Sequence, residues 1–463
     1  MTPLATPDFQ TIIARRDPRY DGRFYFGVKT TGIYCRPICP AQPKPEHIVI
    51  FKSLSEAEKS GYRPCLRCHP DSAPGHRLWD GTITTVSRAL RLLHDSTEDE
   101  LTLGRLAANL GITDRHLRRL FDDHLGASPI EILITRRLHF AKQAIRETKT
   151  SITTIALASG FKSIRRFNEA FKTRFSQSPS AFRKAHPAAS HADRLTLRIP
   201  IRAPYDWLTT ISYLKRHETY GIEYIEDHTY QRFIPRKKSF GSIRVSPMNK
   251  GTFLKAEFTD IPLKDIPPIL ARLKHAFDTD HNPAHLPASK SILPNGIRVP
   301  GSFDPFETAI AIILSQLVST AQAKTNLKTL VQLFGRKLGT EGAKEVYAFP
   351  APKVLAYARV EKVGLTRGKA GAIRALSRAV ARGTLDFHLH RDFSEVSERL
   401  LKIKGIGPWT AMMIRMRCLQ DPDAFPVTDL VIQKAIKKLG INPTAWASAR
   451  AYLTHCLWRD HNS

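Results

Sequence analysis

Four of the six cysteines lie in one short stretch: Cys35 and Cys39 in YCRPICP, then Cys65 and Cys68 in RPCLRC. The spacing is C-x3-C, a loop of 25 residues, then C-x2-C. Each short pair can chelate one ion and the loop closes the tetrahedron, which suits one Zn²⁺ held by four thiolates. From spacing alone a purely structural zinc is the better reading, because most closed four-cysteine sites only hold a fold together. A metal-held thiolate nevertheless stays deprotonated at neutral pH, so the same site could supply a nucleophile. A second group of residues lies near the other end, in LLKIKGIGPWTAMMIRMR (400–417). Gly405 and Gly407 between two helical segments read as a helix-hairpin-helix, which offers backbone N–H groups and a helix N-terminus to a phosphate. An ordinary helix–helix turn is the alternative. Further on, Asp429 opens a helix in DAFPVTDLVIQKAI. Alone it reads as a helix cap; with a hairpin about twenty residues upstream it becomes a candidate catalytic carboxylate.

The elements that must position these groups follow from composition and periodicity. A chain of 463 residues exceeds one ordinary domain, and roughly 150 residues per domain suggests about three. Lys and Arg number 71 against 42 Asp and Glu, a formal charge of +29. That excess favours a polyanionic partner through phosphate neutralisation and counterion release. A ribosome-associated protein or an unspecific basic surface are the bland alternatives. The longest apolar stretch, Ala309 to Leu314, is far short of the roughly 20 residues that span a bilayer. The N-terminal MTPLATPDFQ has neither a basic start nor an apolar core, so no membrane partner and a reducing cytoplasmic location are expected.

The cysteine cluster marks a first unit over residues 1–76, ending in a linker, DSAPGH. Residues 79–186 read as helical and Arg-rich, with a second linker at 186–193. Two segments inside it, 101–126 and 151–179, have the rhythm of helix-turn-helix units, with turns at Gly111 and Gly160 and Thr113 or Asp114 as a cap. Leu117, Leu120, Phe121, Phe167, Phe171 and Phe175 sit at core-facing spacings. Arg115, His116, Arg118 and Arg119 on one second helix, and Arg165, Arg166 and Asn168 on the other, are candidates for phosphate and base-edge contacts. From Leu195 the pattern changes to the alternation of strands: LTLRIPI, YGIEYIEDHTYQRFI, SFGSIRVSP and GTFLKAEFTD. Beyond SFDP the chain reads as helical to its end.

Three stretches resemble known families. FYFGVKTTGIYCRPICPA with SLSEAEKSGYRPCLRC resembles the N-terminal domain of Ada, the bacterial alkylation-response protein. That resemblance implies that Cys35 is both ligand and nucleophile and takes a methyl group irreversibly from a DNA methylphosphotriester, with Cys39, Cys65 and Cys68 as the other ligands. Residues 85–186 resemble an AraC-type DNA-binding domain, two similar units each ending [LF]xxxFxxxxxxSP. The hairpin and Asp429, together with YDWLTTISYLKRHETYGIEYIED, FDPFETAIAIILSQLVSTAQA and VGLTRGKAGAIRALSRAV, resemble AlkA-type 3-methyladenine DNA glycosylases of the helix-hairpin-helix superfamily.

These resemblances imply a multidomain α+β chain. Its expected parts are a small four-cysteine zinc domain (1–76), an all-α AraC-type double helix-turn-helix (79–186), a β-rich AlkA N-terminal domain (194–295) and an all-α helix-hairpin-helix glycosylase domain (296–463). They imply that Asp429 stabilises the oxocarbenium-like sugar as the N-glycosidic bond breaks. Relatives that also nick the strand carry a lysine where Trp409 stands; Trp forms no Schiff base, so a monofunctional enzyme is expected. Trp409 and Trp458 would line a pocket for a flipped, electron-poor base, Tyr213 would close it, and Leu317 would fill the gap left in the duplex. Core packing is the plain alternative for each of these side chains. The family's pocket tyrosine is Met413 here, which bears on the range of bases. The carbonyls of Leu401, Ile403 and Gly405 are a candidate cation site. Cys418 and Cys456 are expected to be buried structural thiols. The expected partners are alkylated and operator double-stranded DNA, with RNA polymerase as a candidate contact, and the expected state is a monomer. The competing reading is a regulator whose glycosylase unit only binds DNA. O6-methylguanine transfer finds no support, since a Pro-Cys-His-Arg motif is absent.

Overall fold

The computed structural model describes residues 9–17, 20–65, 68, 70, 84–95, 103–185, 195–237, 239–248, 252–283, 286, 294–387, 393–447 and 449–461. The linkers read at 71–76 and 186–193 lie outside the described residues. The chain divides into two units. The first is Met1–Arg202 with Pro262–Pro268 and Asp280–His285; the second is Ala203–Ile261 with Ile269–Thr279 and Leu286–Ser463.

In the first unit α1 (Phe9–Arg15) precedes a small sheet of β1 (Tyr25–Val28), β2 (Ile33–Cys35), β3 (Ile48–Phe51) and β4 (Arg63–Pro64), ordered β3-β1-β2-β4. β1 pairs antiparallel with β2, setting Phe26 opposite Cys35, and β4 runs parallel to β2. The parallel pairing brings the two cysteine pairs together: Cys35 ends β2, and the Cys65 N–H just after β4 donates to the Tyr34 carbonyl at 3.0 Å. α2 (Leu54–Lys59) lies between β3 and β4, capped by Ser53.

The helical part follows as α3 (Thr84–Asp95), α4 (Leu103–Leu110), α5 (Asp114–Leu125), α6 (Pro129–Glu147), α7 (Ile152–Ala158), α8 (Ile164–Phe175) and α9 (Pro179–Ala185), and β5 (Leu195–Pro200) comes after it. Thr113 and Ser163 cap α5 and α8, and Ser128 with Glu131 forms a capping box on α6. These caps begin the helices where the sequence has its turn residues. Phe167, Phe171 and Phe175 recur every four residues along α8 and pack on Leu138, Ile145 and Phe182. Burying each such ring contributes about 2 kcal/mol.

α2 docks against these helices. Ser53 Oγ donates to the Leu125 carbonyl at 2.6 Å, and Lys52 Nζ to the Asp123 carbonyl at 3.1 Å. Gly126 has φ +64°, and a Cβ there would lie 2.3 Å from Glu56 Cδ, so both the conformation and the close approach call for glycine. The centre of the contact is Glu58, whose side chain is fully buried. It accepts from Tyr34 Oη at 2.9 Å, Arg174 Nη1 at 2.8 Å and Thr135 Oγ1 at 3.4 Å, and lies 2.8 Å from His139 Nε2. Burial alone would push its carboxyl up; His139, Arg174 and Tyr34 outweigh burial and hold it below the ordinary value of 4.5. Its contribution to stability is therefore present above pH 4.5 and fades as pH falls below that value. Glu58→Ala leaves Arg174 without this carboxylate and is expected to cost about 3 kcal/mol. Hydrogen exchange of the α2 and α6 amides reads the loss; protection equal to that of the unaltered chain would show that the carboxylate adds nothing.

The second unit begins with α10 (Trp207–Arg216), followed by β6 (Glu223–Glu226), β7 (Thr229–Pro235), β8 (Phe240–Pro247) and β9 (Phe253–Thr259). These four strands pair antiparallel in sequential order, with Tyr230 opposite Val245 and Val245 opposite Ala256. After α11 (Ile266–Ala276) come α12 (Pro305–Leu314) and α13 (Thr320–Phe334), then β10 (Arg336–Glu341) and β11 (Lys344–Ala348). The remaining helices are α14 (Pro352–Leu355), α15 (Arg367–Ala381), α16 (Phe393–Leu401), α17 (Pro408–Cys418), α18 (Leu430–Leu439) and α19 (Arg450–His461). Arg232 on β7 donates to Glu307 on α12 at 2.6 Å, a buried ion pair that ties the sheet to that helix.

The β10–β11 hairpin corrects the expectation of an all-α C-terminal part. It is an antiparallel pair turning at Gly342, φ +60°, and its Tyr347 N–H donates to the Gly221 carbonyl at 2.7 Å. Thr340-Glu341-Gly342 with the alternating Lys344–Ala348 was the readable signal, overridden by the helical pattern on either side. Among the described residues no helix is long and apolar enough to cross a membrane.

Candidate functional site

Three places in the structure gather the residues singled out above. The first is the cysteine cluster. The sulfurs of Cys35, Cys39, Cys65 and Cys68 all lie within 4.8 Å of one another. A tetrahedral zinc with Zn–S of about 2.3 Å places sulfurs about 3.8 Å apart, so the four ligands fit that ion with little adjustment. Among the described residues no carboxylate or imidazole joins them, and an all-sulfur donor set selects zinc over hard cations. Four such sulfurs cannot all ionise unaided. Hydrogen bonds with Cys39 and Cys68, and then burial, push the Cys35 thiol up, while the bond with Cys35 lowers Cys39. A bound Zn²⁺ supplies the positive charge that keeps all four as thiolates. One zinc ion held by these four cysteines is the cofactor.

The surrounding chain holds the cluster rigidly. The Arg36 N–H lies 3.5 Å from Cys68 Sγ, and Arg36 Nη1 donates to the Cys68 carbonyl at 3.4 Å. The Arg36 guanidinium also forms a two-pronged pair with the buried Asp21, to whose carbonyl Arg202 donates at 3.1 Å. Cys35 is 1% exposed and Cys39 0%, whereas Cys68 is half-buried and the most open of the four.

The second place is the pair of basic helices. Arg115, Arg118 and Arg119 on α5, and Arg165, Arg166 and Asn168 on α8, are all exposed, while Leu117, Phe121, Phe167 and Phe171 are fully buried. The apolar stripe is core and the opposite face presents guanidinium groups, as helical periodicity requires.

The third place is around Asp429. Its Oδ1 accepts from the Val431 and Ile432 N–H groups at 3.0 and 3.1 Å and so caps α18. The carboxylate does more than cap. Trp409 Nε1 donates to Oδ2 at 3.1 Å, and Trp458 Nε1 reaches Oδ1 at 3.4 Å. Two indoles from α17 and α19 thus converge on one half-buried carboxylate, which an ordinary cap does not need. The hairpin lies on the same helix as Trp409. Gly407 leads into α17 with no side-chain cap, so the first N–H groups of that helix are unspent. Gly405 has φ +95°, and a Cβ there would lie 2.9 Å from the Ala372 Cβ; the hairpin packs on α15 too closely for any side chain.

Tyr213, Trp458 and His455 line one small cavity of about 10 Å³, no more space than a single water molecule needs. Trp409 is not among its walls, and Met413 is buried. Leu317 is fully exposed, at the tip of the turn between α12 and α13. Of the candidate cation ligands, the Gly405 carbonyl accepts from Gln316 Nε2 at 3.0 Å and that of Ile403 from the Ile406 N–H. Cys418 and Cys456 are buried, far in sequence from the zinc ligands.

Comparison with known proteins matches the chain along most of its length. Residues 9–71 match the metal binding domain of Ada, 106–185 a helix-turn-helix domain, 196–304 the AlkA N-terminal domain, and 310–456 the HhH-GPD superfamily of base excision DNA repair proteins. Over 470 aligned residues the chain is 31% identical to a Mycobacterium tuberculosis protein named "Probable bifunctional transcriptional activator/DNA repair enzyme AlkA", covering 96% of this chain and 94% of that protein. The chain belongs to the bifunctional transcriptional activator/DNA repair enzyme AlkA family. It is also 28% identical over 272 residues to the Escherichia coli DNA-3-methyladenine glycosylase 2, covering 55% of this chain and 94% of that one. Against the Escherichia coli bifunctional transcriptional activator/DNA repair enzyme Ada it is 36% identical over 156 residues, 33% of this chain and 42% of that one.

In this bifunctional enzyme the structure also brings forward residues that sequence reasoning passed over. Arg417 is buried and donates to Tyr213 Oη at 2.6 Å and to the Pro300 and Gly301 carbonyls. His217 stacks on Tyr213 at 4.3 Å, and burial followed by the Arg417 charge lowers it to about 4. His455, 4.8 Å from the Tyr213 ring, is lowered well below 6.5 by the same causes. Both imidazoles are therefore neutral at pH 7 beside the cavity. Isolated His and Arg letters carry no positional signal; only folding gathers them around Tyr213.

Proposed function

We propose that this chain repairs alkylated double-stranded DNA by two chemistries and reports the damage as a sequence-specific regulator. The observation that carries the base-excision half is the Asp429 carboxylate gripped by Trp409 and Trp458 beside an uncapped hairpin helix. The hairpin N–H groups hold a backbone phosphate, and Leu317 fills the gap left by the flipped nucleotide. As the N-glycosidic bond of an alkylated purine breaks, its electron pair leaves with the base and positive charge grows on the sugar. Asp429 stabilises that charge, and water completes hydrolysis to an abasic site. Trp409 offers no amine, so the strand is not cut through a Schiff base. The pocket of Trp409, Trp458, Tyr213 and Met413 must open to admit a purine.

In the other half the sulfur of Cys35 attacks the methyl carbon of a neutral methylphosphotriester. The S–C bond forms as the O–C bond breaks, and the electron pair returns to phosphate oxygen, restoring the diester. The zinc-bound set loses one negative charge when Cys35 becomes a thioether, which favours binding of operator DNA by the helices bearing Arg115, Arg118, Arg119, Arg165 and Arg166. RNA polymerase is the contact such a regulator would address. We read the protein as a cytoplasmic monomer.

Incubating the purified chain with methylated duplex tests both halves at once. Free 3-methyladenine, and one added methyl located on Cys35 by fragment mass, are expected. Neither product would reduce the chain to a basic DNA-binding regulator. That second reading is disfavoured by the two indoles on Asp429, which binding alone does not require.

A further inference from the structure

Leu317 is held in an unusual state. Its φ is +54°, in the left-handed region, and its side chain is fully exposed. A leucine stays there only when its surroundings over-determine it. Two side chains do so. Lys369, at the start of α15, donates through Nζ to the Leu314 carbonyl at 3.4 Å and to the Gln316 carbonyl, the last before Leu317. Gln316 then spends both amide hydrogens on the hairpin: its Nε2 donates to the Gly405 carbonyl at 3.0 Å and to Thr410 Oγ1 at 2.7 Å. Gly405 is the glycine pressed against Ala372 on α15, and Thr410 is buried in the first turn of α17. The tip bearing Leu317, the hairpin and the start of α15 are thus bonded into one body.

We infer that Gln316 and Lys369 are positioning residues that fix Leu317 at a set height above the hairpin, so that wedge insertion and phosphate capture occur as one event. This rests on the reading of Leu317 as the duplex wedge. Neither residue touches the reacting atoms. Their work is confined to substrates in which a paired base must be forced out, where placement errors of about 1 Å can cost up to a hundredfold in rate. The Gln316 amide also occupies one lone pair of the Gly405 carbonyl, which ties the tip directly to the hairpin backbone.

The test compares the full chain with Gln316→Met, which keeps length and loses both donors, and with Lys369→Met. Single-turnover excision is measured on one methylated adenine placed either opposite thymine or in an unpaired bubble. The fluorescence of 2-aminopurine beside the lesion follows base extrusion. The expected result is a fall of about tenfold on the paired substrate for each variant, with the bubble substrate changed less than twofold and the 2-aminopurine rise reduced. Equal slowing on both substrates, or no slowing on the paired one, overturns the inference. If the unaltered chain excises nothing, the base-excision reading fails. The 2-aminopurine signal still decides the inference: a rise in the unaltered chain that persists in both variants overturns it, as does no rise at all.

Discussion

Asp429→Asn is expected to slow release of 3-methyladenine by about 10²–10³-fold, a loss of about 3–4 kcal/mol of transition-state stabilisation. The substitution removes the charge and keeps the helix cap. Asn is as good a helix cap as Asp, so α18 keeps its start at Val431 and Ile432. With the amide oxygen in that capping place, the NH2 group takes the Oδ2 position and the Trp409 indole N–H loses its acceptor. The larger loss is the negative charge facing the developing sugar cation, and an alkylated purine, already cationic, needs little other help to leave. Binding to alkylated duplex should change less than about threefold, because the hairpin phosphate contact does not involve Asp429. Single-turnover base release at saturating enzyme is the measurement. A rate within threefold of the unaltered chain would mean that Asp429 is a cap and nothing more.

Cys35→Ser is expected to abolish methyl uptake, from about one equivalent per chain to none. A serine hydroxyl keeps its proton at neutral pH and is not a thiolate nucleophile. The remaining three cysteines still chelate zinc, though less tightly, so the first unit should lose stability as well. Cys65→Ser separates the two effects, since it weakens the metal site equally and leaves the acceptor sulfur in place; partial methyl uptake is expected there. Base release should be untouched in both variants, because its residues belong to the second unit. The exposures make the outcome informative. Cys35 is 1% exposed, whereas Cys68 is the most open of the four sulfurs. Methyl found on Cys68 after tandem mass analysis would reassign the nucleophile, and uptake undiminished in Cys35→Ser would sink the role given to Cys35. A further readout is operator affinity at low salt before and after methylation: it should rise severalfold once one negative charge is gone, and equal affinities would remove the regulatory switch.

Much was legible in the chain alone because local chemistry is written locally. Cysteine spacing announced a tetrahedral metal site, since two short chelating pairs and a loop are a sequence-local requirement. The buried phenylalanines of α8 and the exposed arginines beside them followed from a period of 3.6. Gly405, Gly407, Trp409 and Asp429 declared a hairpin and a carboxylate at a fixed interval. The β10–β11 hairpin was missed because a short alternating run between long helical patterns gives too little periodic signal.

Tertiary structure alone decided the rest. That two indoles meet on Asp429 depended on Trp458, 29 residues away, turning back onto the carboxylate beside Trp409. Glu58 reads as one surface acid among many until folding surrounds it with Tyr34, His139 and Arg174, up to 116 residues distant. Gln316 and Lys369 likewise acquire their partners only when α12, α15 and α17 meet. The physical reason is the same in each case. Residue type and spacing set what a side chain can donate, accept or chelate within a few turns of chain, whereas burial and long-range hydrogen bonding choose which of those capacities is used.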